Sequence, residues 1–413
     1  MNTEKKLIPL LRFPKFVRDT EWACTTLRAE MDYENGVAHE NDIDSLGKYI
    51  VVNSKFISTE GQIEKRTNNA HCLAKEDDIL MVLSDLPNGK AIAKCFYVDA
   101  SNKYTVNQRI CKLRSKGANS KLLYYILNRN PYFLSFDDGV KQTNLKKDEV
   151  LSCPLIIPKS IEEQQKIAEC LSSIDSYISS ISEKVEQLKA HKTSLLQKLF
   201  PQKGQTVPEY RLPEFKTNED WTTNRVGESF KLQGGYAFKS NKFKTTEIPV
   251  IRISNIPSDS LVVNLQNCVF YEELPNMHNY TANDGDLLIA MSGATTGKTA
   301  IYRGKKPVYV NQRVGIFKLV DNSIYYPFIC QWIRTDHFAN QIKKMLAAGA
   351  QPNISSNDIE SLLWQHPQNM KEQMKIASCL STIDDLIDAY KNKLIYIEDY
   401  KKGLIQQLFP INS

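Results

Sequence analysis

Gly297, Lys298 and Thr299 fall near the end of the stretch MSGATTGKTA at 291–300, and a Gly-Lys-Thr triplet is the part of a phosphate-binding loop that holds a nucleotide. In such a loop two glycines let backbone N–H groups wrap the phosphates, the lysine reaches the outer phosphates, and the hydroxyl takes magnesium where a helix begins. The spacing G-x-x-x-x-G-K-[ST] demands glycine where Ser292 stands, and Gly293 comes one residue late. The adjoining segment TAIYRGKKPVYVNQ is β-branched and aromatic around a turn-like RGKKP, which predicts two strands instead of the required helix. Metal chemistry has one candidate pair, His71 beside Cys72, and no second pair at ligand spacing accompanies it. The nine cysteines are odd in number and none forms a C-x-x-C pair. With Cys170 and Cys379 inside helical patterns, they read as reduced and mostly buried.

A chain of 413 residues with 42% hydrophobic and 24% charged side chains can core two or more domains and lies outside the disordered class. It holds no apolar run of about 18 residues, and its opening MNTEKKLIPL lacks the apolar centre of a secretory signal. A soluble cytoplasmic protein with no membrane partner is expected.

The elements that must position these residues are set by a duplication. IEEQQKIAECLSSID at 161–175 matches MKEQMKIASCLSTID at 370–384 without a gap, and the register runs on to Pro201 and Pro410. LRFPKF leads to Trp22 as YRLPEF leads to Trp221. Fainter echoes pair VNQRICKL (106–113) with VNQRVGIFKL (310–319), and QTNL (142–145) with QPNI (351–354). The expected organisation is two globular units, 1–157 and 202–366, alternating with helical segments 158–201 and 367–413.

The duplication is a control on the nucleotide reading. Aligning DDILMVLSDLPNGKA with DGDLLIAMSGATTGKT sets Ser84 on Ser292, Gly89 on Gly297 and Lys90 on Lys298, while Ala91 replaces Thr299. The hydroxyl that should hold magnesium is absent from one copy. The recurring feature is a strand, a serine, four variable residues, Gly-Lys and a strand, which reads as a β-hairpin turn with glycine at positive φ and lysine projecting from the rim.

In the helical segments apolar residues alternate steps of four and three. The first seam is Ile167, Leu171, Ile174, Ile178, Ile181, Val185, Leu188, Leu195 and Leu199; the second is Ile376, Leu380, Ile383, Ile387, Tyr390, Leu394, Ile397, Leu404 and Leu408. Each is interrupted once at the same place, by Lys192 and Lys401, the kind of polar insertion that fixes register or partner. About 38 residues at about 1.5 Å each make a rod about 57 Å long. So narrow a stripe buries itself only against another helix. The segment between Pro201 and Pro367 is long enough to return the chain to the start of the first rod, so intramolecular antiparallel pairing is expected.

Charge separates the two kinds of segment. Lys+Arg against Asp+Glu is 23 against 20 over 1–157 and 18 against 15 over 202–366, but 6 against 6 in each helical segment. The excess lies in clusters: Lys112, Arg114 and Lys116; Lys141, Lys146 and Lys147; Lys239, Lys242 and Lys244; Arg303, Lys305 and Lys306; Lys343 and Lys344. Interleaved with Tyr236, Phe238, Phe243 and Tyr309, these point to a nucleic-acid backbone.

The EEQQKIAECLSSID and KEQMKIASCLSTID segments, the LFP endings, the RFPKF and RLPEF openings with their tryptophans, and GDLLIAMSG with its downstream NQR resemble the specificity subunit of type I restriction-modification systems. The resemblance covers essentially the whole chain; DDILMVLSD in the first unit departs from it by lacking the glycines found at Gly285 and Gly293. It implies an α+β, pseudo-twofold-symmetric fold in which two mixed α/β target-recognition domains alternate with two long helices paired as an antiparallel coiled coil. It also implies a non-catalytic chain that reads a bipartite, asymmetric double-stranded DNA site and positions modification (methyltransferase) subunits, two in number, and restriction/translocase subunits. S-adenosylmethionine, ATP and magnesium would then be bound by those partners and no cofactor or metal by this chain. NPYF at 130–133 is similar to the N-P-P-[YF] element of adenine methyltransferases, but Tyr132 stands in the second proline position and no glycine signature precedes it.

The expected DNA contacts lie on loops flanking the strands. In the second unit these are Tyr236, Lys239, Arg252, Asn255, Ser292, Thr295, Lys298, Gln312, Arg313 and Gln351; in the first, Lys55, Asn88, Lys90, Gln108, Arg109 and Gln142. The pairs Gln108/Gln312 and Arg109/Arg313 recur in both halves, which suits a fold-supporting or phosphate role as well as a reading one; sequence-specific readers belong where the halves differ. Two readings compete with DNA recognition: a structural coiled-coil scaffold and a P-loop nucleotide-binding protein.

Overall fold

The computed structural model describes residues 7–86, 89–257, 260–348 and 353–410. The chain forms two compact units, Met1–Ile181 with Lys393–Ser413, and Ser182–Asn392. These units cut both rods near their middles instead of following the sequence boundaries at 157, 201 and 366. The physical reason is that each globular core includes side chains from both helical segments.

In the first unit a strand buried on both faces organises the core. Ile79–Val82 is entirely buried; Ile79 and Met81 enter one apolar cluster, Leu80 and Val82 the other, as side chains alternating across a strand must. It lies in an antiparallel sheet ordered Met31–Asn35, Ile110–Ser115, Ile79–Val82, Cys95–Tyr97. A second sheet joins Tyr49–Val52 to Lys65–Thr67 antiparallel and to Tyr104–Val106 parallel. Ala23–Thr26 pairs with Pro154–Ile157, closing the domain's start on its end.

The second unit repeats this plan. Leu287–Ala290 is buried throughout, with Leu287 and Ile289 in one cluster and Leu288 and Ala290 in another. Its sheet runs Phe230–Gly234, Val314–Leu319, Leu287–Ala290, Thr299–Ile301. A second sheet runs Val269–Tyr271, Ile248–Ile251, Val308–Val310, Thr281–Ala282, and Thr222–Arg225 pairs with Leu363–His366. The two strands expected within TAIYRGKKPVYVNQ are Thr299–Ile301 and Val308–Val310. All nine cysteines are free thiols; five are buried, Cys170 and Cys268 half-buried, and Cys24 and Cys379 exposed.

The rods are single helices of 39 residues each, Ile161–Leu199 and Met370–Leu408. Every residue of both seams is buried or half-buried, and the packing is antiparallel within each unit. In the first, Ile167 and Leu171 share a cluster with Leu404 and Leu408. In the second, Leu195, Leu196 and Leu199 meet Ile376, Ala377 and Leu380, while Val185 and Leu188 meet Ile383, Ile387 and Tyr390. Leu196, off the expected seam, is buried because the second globular core also packs there.

The interrupting lysines are paired reciprocally. Lys192 Nζ lies 2.5 Å from Asp384 Oδ1, and Lys401 bonds Asp175; each aspartate ends the duplicated SSID or STID of the opposite rod. The surroundings differ. Asp175 also accepts from the Tyr125 hydroxyl at 2.7 Å, whereas Asp384 takes Arg334 Nη1 at 2.8 Å and Gln331 Nε2 at 3.4 Å. Burial, then the neighbouring Arg334 cation, pushes the Lys192 ammonium down to about 8.

The duplicated openings lock each globular domain to a rod. Arg12 donates from Nε and Nη2 to Glu163, both at 2.7 Å, and Trp22 Nε1 donates to the same carboxylate at 3.3 Å. Arg211 and Trp221 repeat this on Glu372 at 2.9, 2.9 and 3.3 Å. The adjacent glutamines act alike: Gln164 accepts from Asn119 N–H and donates to the Pro158 carbonyl, as Gln373 does with Tyr325 and Pro367. Buried bidentate pairs of this kind fix orientation as well as distance. At the far ends Leu11 N–H donates to the Gln407 carbonyl, as Tyr210 N–H donates to that of Lys198, each at 2.9 Å.

Candidate nucleic-acid interface

In the second unit the strand ends gather five loops. Met291 N–H donates to Arg313 O and Ile354 N–H to Met291 O, both at 2.9 Å. Tyr236 N–H donates to Val310 O at 2.8 Å and its carbonyl accepts from Gln312 N–H at 2.9 Å. The Thr295 hydroxyl donates to Ile253 O at 3.1 Å. Tyr236, Lys239, Arg252, Ser292, Thr295, Lys298, Gln312 and Arg313 therefore lie on one connected loop surface.

Their exposure sorts them. Tyr236, Lys239, Lys298, Gln312 and Arg313 face solvent. Asn255 does not: it is 2% exposed, accepts from Arg252 N–H at 2.9 Å and donates to Asn264 O at 2.9 Å. It caps a short turn, the ordinary fate of an asparagine there, and is corrected from base contact to scaffold. Ser292 is corrected likewise, since its hydroxyl oxygen is buried and its backbone bridges Asn353. Thr295 is half-buried with its hydroxyl spent on the neighbouring loop. Arg252 is half-buried, its guanidinium 5.9 Å from the Phe243 ring centroid. Gln351 lies outside the described residues.

The Gly-Lys turn is a hairpin here, with Leu287–Ala290 paired to Thr299–Ile301. Gly293 and Gly297 both sit at φ +80°, and a Cβ on Gly297 would collide with Ile342. The N–H groups of Thr296, Gly297 and Lys298 donate to Gly293, Ala290 and Thr295. They are consumed by the turn and cannot cradle a phosphate. In the first unit the corresponding segment differs: Gly89 is absent from the positive-φ residues, and what requires a glycine is the Asp85 carboxylate packed against it. That carboxylate accepts from Ala91 and Ile92 N–H, and the returning strand begins only at Cys95.

The first unit gathers a matching loop set. Leu83 N–H donates to Arg109 O at 2.9 Å, the counterpart of Met291 on Arg313. Lys55, Lys90, Gln108, Arg109 and Gln142 are exposed, but two are engaged: Gln108 donates to Glu40 at 3.3 Å, and Gln142 to Ser84 Oγ at 2.8 Å and Asn144 at 3.3 Å. Asn88 lies outside the described residues. Lys55, Lys90, Arg109, Lys239, Lys298 and Arg313 have no ion-pair partner among the described residues. The charges of Lys112, Arg114 and Lys116 are answered within the fold: Lys112 pairs with Glu34, Arg114 with Asp78 and Lys116 with Asp32. Lys242 and Lys244 are likewise shared with Glu272 and Glu247. Counting cations along the sequence could not reveal acids brought in by neighbouring strands.

Sequence reasoning missed two features of these loops. Gly36 and Gly235 each lie against the backbone of the N-Q-R corner, where a Cβ would collide with the carbonyls of Asn107 and Asn311. The echo ENGVA/QGGYA (34–38 and 233–237) was the available signal. Next to the corner, buried His39 donates from Nδ1 to Val37 O at 2.6 Å, and its Nε2 stands 2.9 Å from the Thr105 hydroxyl. Burial lowers its pKa, and nearby His71 lowers it further. Among the described residues no group of His, Cys, Asp and Glu could hold a metal ion, and no helix is long and apolar enough to cross a membrane.

A family model described as the type I restriction modification DNA specificity domain matches twice, at residues 33–190 and 218–399. The chain is similar to the type I restriction enzyme MjaVIII specificity subunit of Methanocaldococcus jannaschii, 24% identical over 353 residues that cover 83% of this chain and 80% of that one. It is similar to the EcoAI specificity subunit of Escherichia coli, 28% identical over 225 residues, covering 50% and 37%. Its fold matches a crystal structure of a type I restriction-modification S subunit from M. genitalium with a TM-score of 0.68, at 18% identity, covering 98% of this chain and 100% of that one.

Proposed function

The chain belongs to the type I restriction-modification DNA specificity family, a family whose role is sequence specificity, and from that premise we propose that each unit reads one half of a two-part, asymmetric duplex site through its loop surface. The observation that carries this is that the same framework of backbone bonds, Leu83 to Arg109 and Met291 to Arg313, holds a shared Gln-Arg pair beside an exposed position that differs, Val37 in one unit and Tyr236 in the other. Two similar readers with different tips read two different half-sites. Lys55, Lys90 and Arg109, and Lys239, Lys298 and Arg313, are the phosphate anchors, because each is exposed without an acidic partner among the described residues and such contacts position the protein without reading sequence.

Catalysis belongs to partner chains in this reading: two modification subunits that bind S-adenosylmethionine and flip and methylate an adenine in each half-site, and restriction subunits that use ATP and magnesium. The helical rods are the docking surface for the modification subunits. The test is DNA protection by the chain in complex with modification subunits, before and after exchanging residues 202–366 for those of a relative. Protection of a bipartite site, with only one half altered by the exchange, is expected; no salt-dependent protection, or a change in both halves, refutes the proposal.

A further inference from the structure

A residue that tells one half-site from the other must be exposed, be held by a rigid backbone, and differ between the two units. Most corner residues fail. Gln108/Gln312, Arg109/Arg313 and Lys90/Lys298 are identical pairs, and Ser84 and Asn255 are buried. Among the described residues one pair passes, Val37 and Tyr236.

Their equivalence rests on hydrogen bonds more than on the short echo ENGVA/QGGYA. Gly36 and Gly235 N–H donate to Ile110 O and Val314 O at 2.9 and 3.0 Å, and Val37 and Tyr236 N–H donate to Val106 O and Val310 O at 2.9 and 2.8 Å. Both carbonyls are held as well, that of Val37 by His39 Nδ1 at 2.6 Å and that of Tyr236 by Gln312 N–H at 2.9 Å. The preceding glycine is pressed onto the N-Q-R corner in both units, so the direction of the next side chain is fixed. This rigid, solvent-facing position carries a valine in one unit and an aromatic ring in the other: Val37 is 43% and Tyr236 39% exposed. The Tyr236 ring is braced edge-on by Phe238 and Tyr280, with centroids 5.0 and 5.3 Å away. An apolar group beside exposed Gln and Arg has one good partner on a base edge in the major groove, the thymine 5-methyl.

We propose that Val37 and Tyr236 are equivalent specificity-determining positions, each reading a thymine methyl in its own half-site, the longer tyrosine at a base pair that valine does not reach. This rests on the reading of the chain as a two-part DNA reader. The test uses the full chain in complex with modification subunits and a binding selection from randomised duplex DNA, followed by replacement of single thymines in the selected site by uracil, which removes the methyl alone. Uracil at one base pair of each half-site is expected to weaken binding about tenfold. The Tyr236→Ala variant loses that sensitivity in one half and Val37→Ala in the other. The proposal is overturned if either variant weakens all sequences equally or leaves uracil sensitivity intact while the complex still protects its site and melts at the parental temperature. If the parent selects no bipartite site at all, it is the underlying DNA reading that fails.

Discussion

Replacing Lys192 by methionine stabilises the second unit. The Lys192 side chain is 8% exposed and shares Asp384 with Arg334, so one buried carboxylate serves two cations. A folded-state pKa of about 8 against an ordinary 10.5 corresponds to about 3 kcal/mol of unfavourable burial at neutral pH, at about 1.4 kcal/mol per unit. Methionine fills similar space, and Asp384 retains Arg334 and Gln331, so no charge is orphaned. Between pH 8 and 10.5 the unfolded chain holds more protons than the folded one, so the parent gains stability as pH rises through that window. The gain from Lys192→Met is therefore up to about 3 kcal/mol at pH 7 and fades toward pH 10.5. Trp221, Trp332 and Trp364, all 2% exposed or less, make tryptophan fluorescence in urea the assay. The matched change Lys401→Met leaves Asp175, which is 35% exposed, with only the Tyr125 hydroxyl of its described partners. It costs on the order of 1 kcal/mol. A Lys192→Met protein less stable than its parent at pH 7, or a gain that does not change with pH, refutes the reasoning.

Glu372→Ala leaves the Arg211 guanidinium, 7% exposed, without its carboxylate; a loss of about 3–5 kcal/mol and a shift in tryptophan emission are expected. Gly297→Ala forces a side chain into φ +80° and onto Ile342, lowering stability by about 1–3 kcal/mol and impairing one half of the DNA footprint, seen by melting and protection together. His39 is held below its ordinary pKa of 6.5 mainly by burial. The folded chain thus resists a proton that the unfolded chain accepts, and stability present above 6.5 is lost as pH falls below it; faster proteolysis at loop 36–48 at pH 5.5 than at pH 7.5 checks this. A chain ending at Pro201 forms a homodimer by sedimentation, each Lys192 meeting Asp175 of the second copy; a monomer with a melted helix contradicts that.

The rods were legible because a seam repeated at the same spacing in two copies leaves few alternatives, and the helices Ile161–Leu199 and Met370–Leu408 follow it. The partners of Lys192 and Lys401 were not, since Asp175 and Asp384 lie on the opposite rod, far away in sequence. Strands such as Leu287–Ala290 announced themselves as short apolar runs. The candidate interface was half legible: turn residues located the loops, but whether a side chain points outward depends on tertiary neighbours. Asn255 looks like a reader and is a cap, while Val37 looks like a core residue and is exposed. The basic run 112–116 failed for the same reason, its charges answered by Glu34, Asp78 and Asp32 from other strands.

The bond from Leu11 to Gln407 ties the start of the first globular domain to the close of the second helix, as the bond from Tyr210 to Lys198 ties the start of the second domain to the close of the first. Residues 7–22 relate to the close of the second helix as 206–221 relate to the close of the first, down to Trp22 N–H on Leu7 O and Trp221 N–H on Thr206 O. Cutting the backbone at residue 202 is therefore expected to leave the second unit folded, because the bond from Tyr210 to Lys198 bridges the cut.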